Sequence, residues 1–366
     1  MPKRTASAAK RASTSSSGEA ETAVFEAEVM HGMKPFAEAE LRRRLGASMR
    51  LLPDQDAEAI RFAYGGDWRR CQDLRLVNAV YLAAHFPIPR PKALLGHQHW
   101  HKLLRLIAAV RALHPPRAFR TCHVSAAGRQ STILRRLQQQ LAADTGLTLD
   151  ETAGDLWLRL RPAASAVGGW DMLVRLTPRP LSTRFWRVRD MEGALGGPVA
   201  ALMVDLTQPQ ATDRFLNLTC GSGTLLVERL LTAPAALAVG TDLDAAHLQL
   251  ARANLAAAGA YASLMRQDDG AAALAAGAFD AIVADLPWGQ LVGEAANLPT
   301  LYERVFASAA RLARPGARFV LITHMVQVTE QTLAQQENSW RVLRRIPLRR
   351  GNLRPRIYVL ERRNNN

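Results

Sequence analysis

The 366-residue sequence has few of the features that mark secreted, disulfide-bonded or membrane proteins. Its three cysteines, Cys71, Cys122 and Cys220, are an odd number with no Cys-x-x-Cys pair, which argues against a disulfide framework and a thiolate zinc site. Charges interrupt every apolar run before it reaches the roughly 18 residues that a membrane span needs. We therefore expect a cytoplasmic protein with no membrane association.

Acidic residues are also scarce, with 32 Asp and Glu against 47 Lys and Arg and a net charge of +15. Such an excess suits a polyanionic partner, because each neutralised phosphate releases condensed counterions. An arginine-rich surface that reflects genome composition would give the same balance. Residues 1–22 are rich in Ala, Ser, Lys and Arg and are predicted to be a disordered basic tail, with an organelle transit peptide as the alternative.

The pattern of apolar residues divides the rest of the chain into two α+β modules, 23–95 and 96–180, a linker, 181–206, and an α/β domain, 207–363. In the first module we predict strands at 24–29 and 59–64 and helices at 36–45 and 67–85. In the second we predict helices at 100–113 and 131–145 and strands at 118–124, 155–160 and 172–176. From Arg214 onward short apolar strands alternate with helices, which predicts an open, mostly parallel, doubly wound sheet.

A glycine turn follows the apolar strand at the start of residues 215–224, and the next strand ends at Asp242. Gly221 and Gly223 allow the backbone to approach a ligand closely, and the helix that follows offers free N–H groups. A doubly wound fold holds ribose hydroxyls with an acid placed as Asp242 is. Together these features predict a site for a nucleoside cofactor, and Asp244 is predicted to cap the following helix.

A nicotinamide dinucleotide is the alternative cofactor, but its G-x-G-x-x-G spacing fails because Leu226 occupies the third glycine position. The strand after Asp242 ends at Asp268 and Asp269, where a carboxylate could accept a hydrogen bond from an adenine amino group. Spacing slightly favours Asp269, and a solvated turn would explain either acid equally well.

The segment 285–289, DLPWG, follows a strongly apolar strand and suits methylation of an exocyclic amine. Such an amine is a poor nucleophile, and acceptors on its N–H groups orient it and offset the charge that develops as it attacks. Asp285 and the backbone carbonyl of Leu286 are predicted to be those acceptors. Pro287 fixes the turn, and Trp288 offers a flat face to a base taken out of its stack.

By these residues the chain resembles a known family. NLTCGSGT, VGTDLD and DLPWG resemble the cofactor loop, ribose acid and amine-methylating motif of class I methyltransferases. VFEAEVMHGMKPFAEAELRRRLG and LSTRFWRVRDMEGALGGPVAALMVDL resemble the opening module and the linker of tRNA and rRNA methyltransferases that carry a THUMP domain. LPTLYERVFASAARLARPGARFVLITH and GNLRPRIYVLER are similar to the tRNA guanine-N2 methyltransferases that act at position 6 of the acceptor stem.

The resemblance implies an α/β protein whose Rossmann-like class I methyltransferase domain is preceded by ferredoxin-like and THUMP domains. It implies transfer of a methyl group from S-adenosylmethionine to the N2 amine of a guanosine in tRNA. The implied catalytic residues are Asp285, Leu286, Pro287 and Trp288. The implied cofactor contacts are Asn217, Thr219, Gly221, Ser222, Gly223, Thr224, Asp242, Leu243, Asp268, Asp269 and Asp285.

Two positions depart from the family pattern. Asn217-Leu218 replaces the usual Asp-Pro before the cofactor loop, and since asparagine adds no charge we expect weaker cofactor binding. Pro315-Gly316-Ala317 replaces Pro-Gly-Gly, which we expect to be harmless.

Arginine clusters indicate where RNA, which is recognised largely through its backbone and shape, would bind. The predicted RNA contacts are Arg120, Arg129, Arg184, Arg187, Arg349, Arg350 and Arg354. His97, His99 and His101 form an HxHxH pattern, but alternate residues share a face only on a strand and these residues look like the start of a helix. We therefore expect no metal ion. The resemblance implies tRNA as the partner, and we expect the protein to be a monomer.

Three other functions remain open from the sequence. The methylated base could be a guanine of rRNA, or an adenine amine of DNA, since DPPY-type motifs similar to DLPW serve that reaction. The chain could also be an RNA-binding protein with weakened catalysis, which Asn217 suggests.

Overall fold

The computed structural model describes residues 22–54, 56–127, 132–163, 168–267, 273–287 and 298–364. Within these residues the chain forms two β-sheets, one of eight strands and one of seven. In the same part of the chain, no helix is both long and apolar enough to cross a membrane.

The N-terminal half builds the eight-stranded sheet. Its elements are β1 (Ala23–Glu28), α1 (Lys34–Leu45), β2 (Met49–Leu51), β3 (Ala59–Tyr64), β4 (Ala79–Phe86), α2 (His97–Arg111), β5 (Thr121–Ala126), α3 (Thr132–Thr145), β6 (Thr148–Leu149), β7 (Leu156–Pro162) and β8 (Trp170–Arg175). The strands lie in the order β2-β3-β1-β4-β8-β7-β5-β6. Because β4 pairs antiparallel with β8, the segments 23–95 and 96–180 share one continuous sheet.

The helix predicted for residues 67–85 is wrong. Trp68–Asp73 forms a short 3-10 helix, and Ala79–Phe86 is strand β4. The sequence AVYLAAHF is rich in alanine, but β4 lies between β1 and β8 and all of its residues except His85 are buried. The sequence of a strand that is buried on both faces is a continuous apolar run. Hydrophobic periodicity cannot distinguish such a run from the sequence of a buried helix.

The C-terminal half builds the seven-stranded sheet. Its elements are α4 (Gly197–Leu206), β9 (Arg214–Leu218), α5 (Thr224–Thr232), β10 (Leu237–Asp242), α6 (Ala245–Ala257), β11 (Ser263–Arg266), β12 (Phe279–Asp285), α7 (Leu298–Leu312), β13 (Ala313–Thr323), α8 (Val326–Gln335), β14 (Trp340–Pro347) and β15 (Arg356–Arg362). The order is β11-β10-β9-β12-β13-β15-β14, with the first five strands parallel and β15 antiparallel to both of its neighbours, β13 and β14. The chain runs outward from β9 to β11 and then resumes on the other side of β9 at β12, so the order reverses between β9 and β12. In open α/β sheets ligands bind at such a point, beyond the carboxyl ends of the strands.

This sheet has an apolar core on each face, as a doubly wound fold requires. Along β12, Ala281 and Val283 belong to the core that contains α4 and α5, while Ile282 and Ala284 belong to the core that contains α7. Burying a Val or Ile side chain fully stabilises the fold by about 1.5–3 kcal/mol. The period-two alternation therefore anchors β12 on both faces and fixes where its carboxyl end lies.

A buried ionic cluster joins the two halves. Glu228 on α5 is 1% exposed and accepts hydrogen bonds from Arg75 of the N-terminal half and from Arg184 of the linker. The Arg184 Nε lies 2.7 Å from Glu228 Oε1, and Arg184 Nη2 donates to the Arg75 backbone oxygen at 2.8 Å. Removing one partner of such a buried pair costs about 3–5 kcal/mol, because the other charge is left uncompensated. The helix that follows the glycine turn is thus tied to the N-terminal half.

Candidate active site

The carboxyl ends of β9, β10 and β12 meet at one edge of the seven-stranded sheet. The Gly221 N–H, in the turn after β9, donates to Asp242 Oδ2 at the end of β10 at 2.8 Å. The Thr219 hydroxyl lies 3.2 Å from the backbone oxygen of Asp285 at the end of β12. The structure thus brings together, at one edge of the sheet, the three segments that the sequence predicted to share a crevice.

The turn from Thr219 to Gly223 has an unusual backbone. Gly221 and Gly223 have φ of 52° and 80°, and Thr219, a β-branched residue, has φ of 55°. A left-handed conformation at a non-glycine residue costs on the order of 1–3 kcal/mol and persists where the surroundings enforce it. A Cβ on Gly223 would lie 3.0 Å from the Ala251 Cβ of α6, so this glycine also permits close packing.

Helix α5 begins directly after this turn. Gly223 is its N-cap and provides no side-chain hydrogen bond. The first N–H groups of a helix have no partner within the helix and carry the positive end of its dipole. They are therefore suited to hold a polar or anionic part of a ligand.

Asn254 of α6 supports the turn, and sequence reasoning missed it. Its side chain is fully buried, its Oδ1 accepts from the Arg189 N–H at 2.9 Å, and its Nδ2 donates to the Ser222 backbone oxygen at 3.0 Å. An asparagine within the alanine-rich helix ARANLAAAG is a poor helix former, and this was the available indication of a hydrogen-bonding role.

Asp242 bridges the turn and the next helix. Its Oδ1 accepts from the Asp244 N–H at 3.0 Å and lies 3.2 Å from His247 Nδ1, while Oδ2 holds Gly221. A carboxylate oxygen has two lone pairs, so Oδ2 retains one for a hydroxyl of a ligand. Asp244 caps α6 as predicted, accepting from the Ala246 N–H at 2.7 Å. Leu243 between them is 67% exposed and leaves an apolar surface at this edge.

Asn217 is the polar group that most directly indicates a ligand. It lies on β9 between Gly240 of β10 and Val283 of β12 and is 1% exposed. Among the residues that the structure describes, neither its Nδ2 nor its Oδ1 has a hydrogen-bond partner. An unpaired buried polar group costs about 1–3 kcal/mol, so a partner from outside the chain would be favourable. The site therefore fits a polar cofactor.

Three elements hold the turn that follows β12. The cofactor turn contacts the Asp285 oxygen, the Leu286 N–H donates to Ile322 of β13 at 3.1 Å, and the Tyr302 hydroxyl of α7 donates to the Pro287 oxygen at 3.0 Å. Leu286 is buried, and Asp285 and Pro287 are half-buried. Four of the predicted site residues, Asp268, Asp269, Trp288 and Arg129, lie outside the described residues, as does Gly289 of the DLPWG segment.

Cys220 lies within the cofactor turn but does not provide a nucleophile. It is 6% exposed, and burial, with a smaller contribution from Asp242, raises the pKa of its thiol. Because only a thiolate attacks an electrophile effectively, Cys220 stays inert at neutral pH.

The predicted RNA contacts fall into two groups. The side chains of Arg120, Arg349, Arg350 and Arg354 are exposed. Those of Arg184 and Arg187 are only 9% and 18% exposed. Arg187 Nη2 donates to the Leu195 oxygen at 2.6 Å and to Thr224 Oγ1 at 3.1 Å, which holds the linker against the start of α5. The structure therefore gives Arg184 and Arg187 contacts within the protein, and we leave them out of the RNA surface proposed below.

The three histidines of the HxHxH pattern do not converge. They begin α2 as predicted, with the His97 and His101 rings 4.2 Å apart and the His99 ring against Phe86 at 5.9 Å. Within the described ranges no group of three or more His, Cys, Asp or Glu side chains is placed to hold a metal ion.

An open sheet of this order, with a glycine turn after β9, a carboxylate after β10 and an acidic turn after β12, is the fold of class I methyltransferases. Residues 184–355 match the family model of the RMKL-like methyltransferase domain. S-adenosylmethionine, the cofactor expected from the sequence, is the methyl donor for this class of domain.

Comparison with known proteins gives relatives of the same kind. Over 191 residues, 52% of this chain and 56% of the relative, the sequence is 30% identical to a tRNA (guanine(6)-N2)-methyltransferase of Thermus thermophilus. The chain thus spans about half the length of the curated relative that it matches. The structure of TrmN from Thermus thermophilus is similar with a TM-score of 0.67 and 24% identity, over 93% of this chain and 99% of that chain. A structure described as a predicted N6-adenine-specific DNA methylase from Listeria monocytogenes gives 0.62 and 16%, over 93% and 96%. At these identities the structural likeness establishes the fold alone.

Proposed function

We propose that this protein is an S-adenosylmethionine-dependent methyltransferase that modifies the exocyclic N2 amine of a guanosine in tRNA. The observation that carries the proposal is the acidic turn after β12, tethered beside the glycine turn after β9. A methyl donor held at the glycine turn would lie next to an amine held at the acidic turn.

When bound, S-adenosylmethionine supplies an electrophilic methyl group on a sulfonium. The glycine turn and the start of α5 would hold it, with Asp242 on the ribose hydroxyls and Leu243 against the adenine. The buried side-chain amide of Asn217 would form a hydrogen bond with a polar group of the same ligand. Asp268 or Asp269 remains the proposed acceptor for the adenine amino group.

Asp285 and the Leu286 carbonyl would accept the two N–H groups of the guanine amine. These contacts turn the nitrogen lone pair toward the methyl group and oppose the positive charge that develops on nitrogen. Asp285 would accept the proton that the amine nitrogen loses when it takes the methyl group from the sulfonium, and would pass that proton to solvent. Trp288 would stack on the base.

The RNA surface proposed here includes the loop between β14 and β15. Its arginines Arg349, Arg350 and Arg354 are exposed and, within the described ranges, form no ion pair with an acid. The Arg349 N–H donates to the His31 oxygen at 3.2 Å, and Arg344 lies over the Phe36 ring at 6.0 Å. These contacts join the loop and strand β14 to the N-terminal half, so we include both halves in the proposed RNA surface. The tRNA substrate also agrees with the name of the Thermus relative.

The linker exposes an aromatic side chain. Phe185 is 76% exposed, while its neighbour Trp186 is 1% exposed. An exposed ring of this kind suits stacking with an unpaired base. Residues 96–180 as a THUMP domain, a cytoplasmic location and a monomeric state remain predictions from the sequence.

The second candidate function is methylation of an adenine amine in duplex DNA, which the name of the Listeria structure motivates. Radiolabelled methyl transfer to tRNA, rRNA and duplex DNA, each at equal nucleotide concentration, separates the candidates. We expect incorporation into tRNA, and incorporation into DNA alone would contradict the proposal. Calorimetry that detected RNA binding but no S-adenosylmethionine binding would instead favour an RNA-binding protein without catalysis.

A further inference from the structure

A hydrogen-bond chain runs through the protein interior to the turn that carries Asp285. Its two side chains are Tyr302 of α7 and Thr323 at the end of β13, and both are fully buried. The Tyr302 and Thr323 hydroxyl oxygens lie 2.5 Å apart, and Tyr302 is 3.0 Å from the Pro287 oxygen. The Met325 N–H lies 2.8 Å from Thr323 Oγ1.

The partners at the two ends fix the direction of this chain. The Pro287 carbonyl can only accept, so Tyr302 donates its proton to it. Tyr302 must then accept from Thr323, whose oxygen in turn accepts from the Met325 amide. Burial raises the pKa of Tyr302, with a smaller contribution from Asp285, so the hydroxyl keeps the proton that the chain requires.

The position of Tyr302 makes this contact rigid. It lies one turn into α7, packed in the same core as Val305 and Phe306. A buried ring on a packed helix has little freedom to move, so its hydroxyl fixes the Pro287 carbonyl in space. Leu286, whose carbonyl is a proposed acceptor, is thereby held at its own N–H by β13 and on its far side by Tyr302.

We propose that Tyr302 and Thr323 are positioning residues for the methyl transfer, which set the Asp285–Pro287 turn in the geometry that receives the amine. Neither residue need touch the substrate. The inference rests on the function proposed above, and concerns how its acceptor groups are oriented.

Tyr302→Phe tests this, because it removes one hydroxyl and keeps the buried ring. We expect kcat to fall by about tenfold or more, since small displacements of reacting groups cost large factors in rate. The KM for S-adenosylmethionine and the Kd for tRNA should stay within about twofold, because most of the proposed cofactor and RNA contacts lie on other elements.

Tyr358→Phe is the matched control. Tyr358 of β15 is also fully buried in the same core, but its hydroxyl donates to Glu330 at 3.1 Å, away from the turn. Thr323→Val should reproduce the loss seen in Tyr302→Phe, Thr323→Ser should restore the rate, and the double variant Tyr302→Phe/Thr323→Val should lose no more than either alone. Equal losses of kcat in Tyr302→Phe and Tyr358→Phe would overturn the inference, because both would then reflect general loosening of the core.

Hydrogen exchange at the Leu286 amide provides a readout that needs no substrate. That amide is protected by its bond to Ile322, and it should exchange several-fold faster in Tyr302→Phe but not in Tyr358→Phe. Unchanged exchange and unchanged kcat in Tyr302→Phe would refute the positioning role. If the wild-type protein methylated no RNA while exchange at Leu286 responded as stated, the proposed function would fail and the tether would stand.

Discussion

The two sheets use their buried polar groups in different ways. On the eight-stranded sheet, Glu26 pairs with Arg161 and lies 3.9 Å from Arg61, whose Nη2 lies 3.3 Å from Asp171. At the carboxyl edge of the seven-stranded sheet, the amide of Asn217 has no partner among the described residues, and the backbone around Asp285 is tethered from three sides.

The buried charges on the first sheet lie within 4 Å of opposite charges, whereas the buried amide of Asn217 has no polar partner among the described residues. Burial raises the pKa of Glu26, while Arg161 and Arg61 act to lower it, so the cost of burying the charge is offset in part inside the sheet. At the other edge no group among the described residues offsets the cost of burying the Asn217 amide, and the proposed ligand would do so. We therefore expect polar residues of the first kind to contribute to the fold, and those of the second kind to contribute to the proposed binding and catalysis.

The largest effect is expected at Asp285. Asp285→Asn keeps the shape of the side chain but removes its charge, so kcat should fall by about 10²–10³-fold while tRNA binding is unchanged. Single-turnover methyl transfer measures the rate, and filter binding measures the affinity. Asp280→Asn is the control, since Asp280 lies on the same strand, β12, but at its opposite end, where it binds the Arg214 N–H at 2.7 Å. Near-normal rates in Asp285→Asn would refute the assigned role.

A smaller effect is expected at Asp242. Asp242→Asn weakens the hold on Gly221 and removes the charge that would face the ribose, so the Kd for S-adenosylmethionine should rise by about 10–100-fold, as loss of a charge-assisted hydrogen bond predicts. Calorimetry without RNA measures it. Asp244→Asn is two residues away and should leave the Kd unchanged, because asparagine caps a helix as well as aspartate. If both variants bound the cofactor with equal Kd, Asp242 would stabilise the fold and would not contribute to cofactor binding.

The same comparison can be made on the surface, between arginines of the β14–β15 loop and an arginine that already forms an ion pair. Arg349→Ala and Arg350→Ala should each lower tRNA affinity and reduce the slope of log Kd against log salt by about one. Arg345→Ala should change that slope less, because Arg345 already pairs with Glu330 at 2.9 Å. A titration of tRNA at several salt concentrations measures both quantities. An equal change of slope in all three variants would show that internal pairing does not matter for RNA binding.

The smallest effect is expected at Asn217. Asn217→Asp places a carboxylate beside a positively charged cofactor, and we expect its Kd to fall by a few-fold. The protein without cofactor should at the same time lose stability, because a buried charge gains no partner. Calorimetry and thermal unfolding measured on the same samples would show both changes. Weaker cofactor binding in Asn217→Asp would contradict the placement of this side chain against the cofactor.

Much of the catalytic domain could be predicted from the sequence because its strands are short, apolar and followed by turn residues. The strand predicted to end at Asp242 does end there, and Asp242 and the glycine turn meet as the doubly wound fold requires. Strand β4 could not be predicted, since its apolar run is compatible with a buried helix. Local patterns report periodicity, but they do not report which faces an element will bury.

The tethers of the site were also beyond sequence reasoning. Tyr302 and Asn254 act through contacts with residues 15 and 32 positions or more away, and no local pattern marks such pairs. For Arg184 and Arg187 the sequence indicated the charge but not the contacts that the side chains make within the protein. A cluster of arginines indicates positive charge, but the charge of Arg184 is directed at Glu228 inside the junction.

The central claim is that the protein methylates the N2 amine of a guanosine in tRNA while the turn that contains Asp285 holds that amine. Mass spectrometry of nucleosides from tRNA digested after reaction with the protein and S-adenosylmethionine tests it most directly. We predict N2-methylguanosine, absent when the reaction is run with Asp285→Asn. A methyl group found instead on adenine, or the same product formed by Asp285→Asn at the wild-type rate, would contradict it.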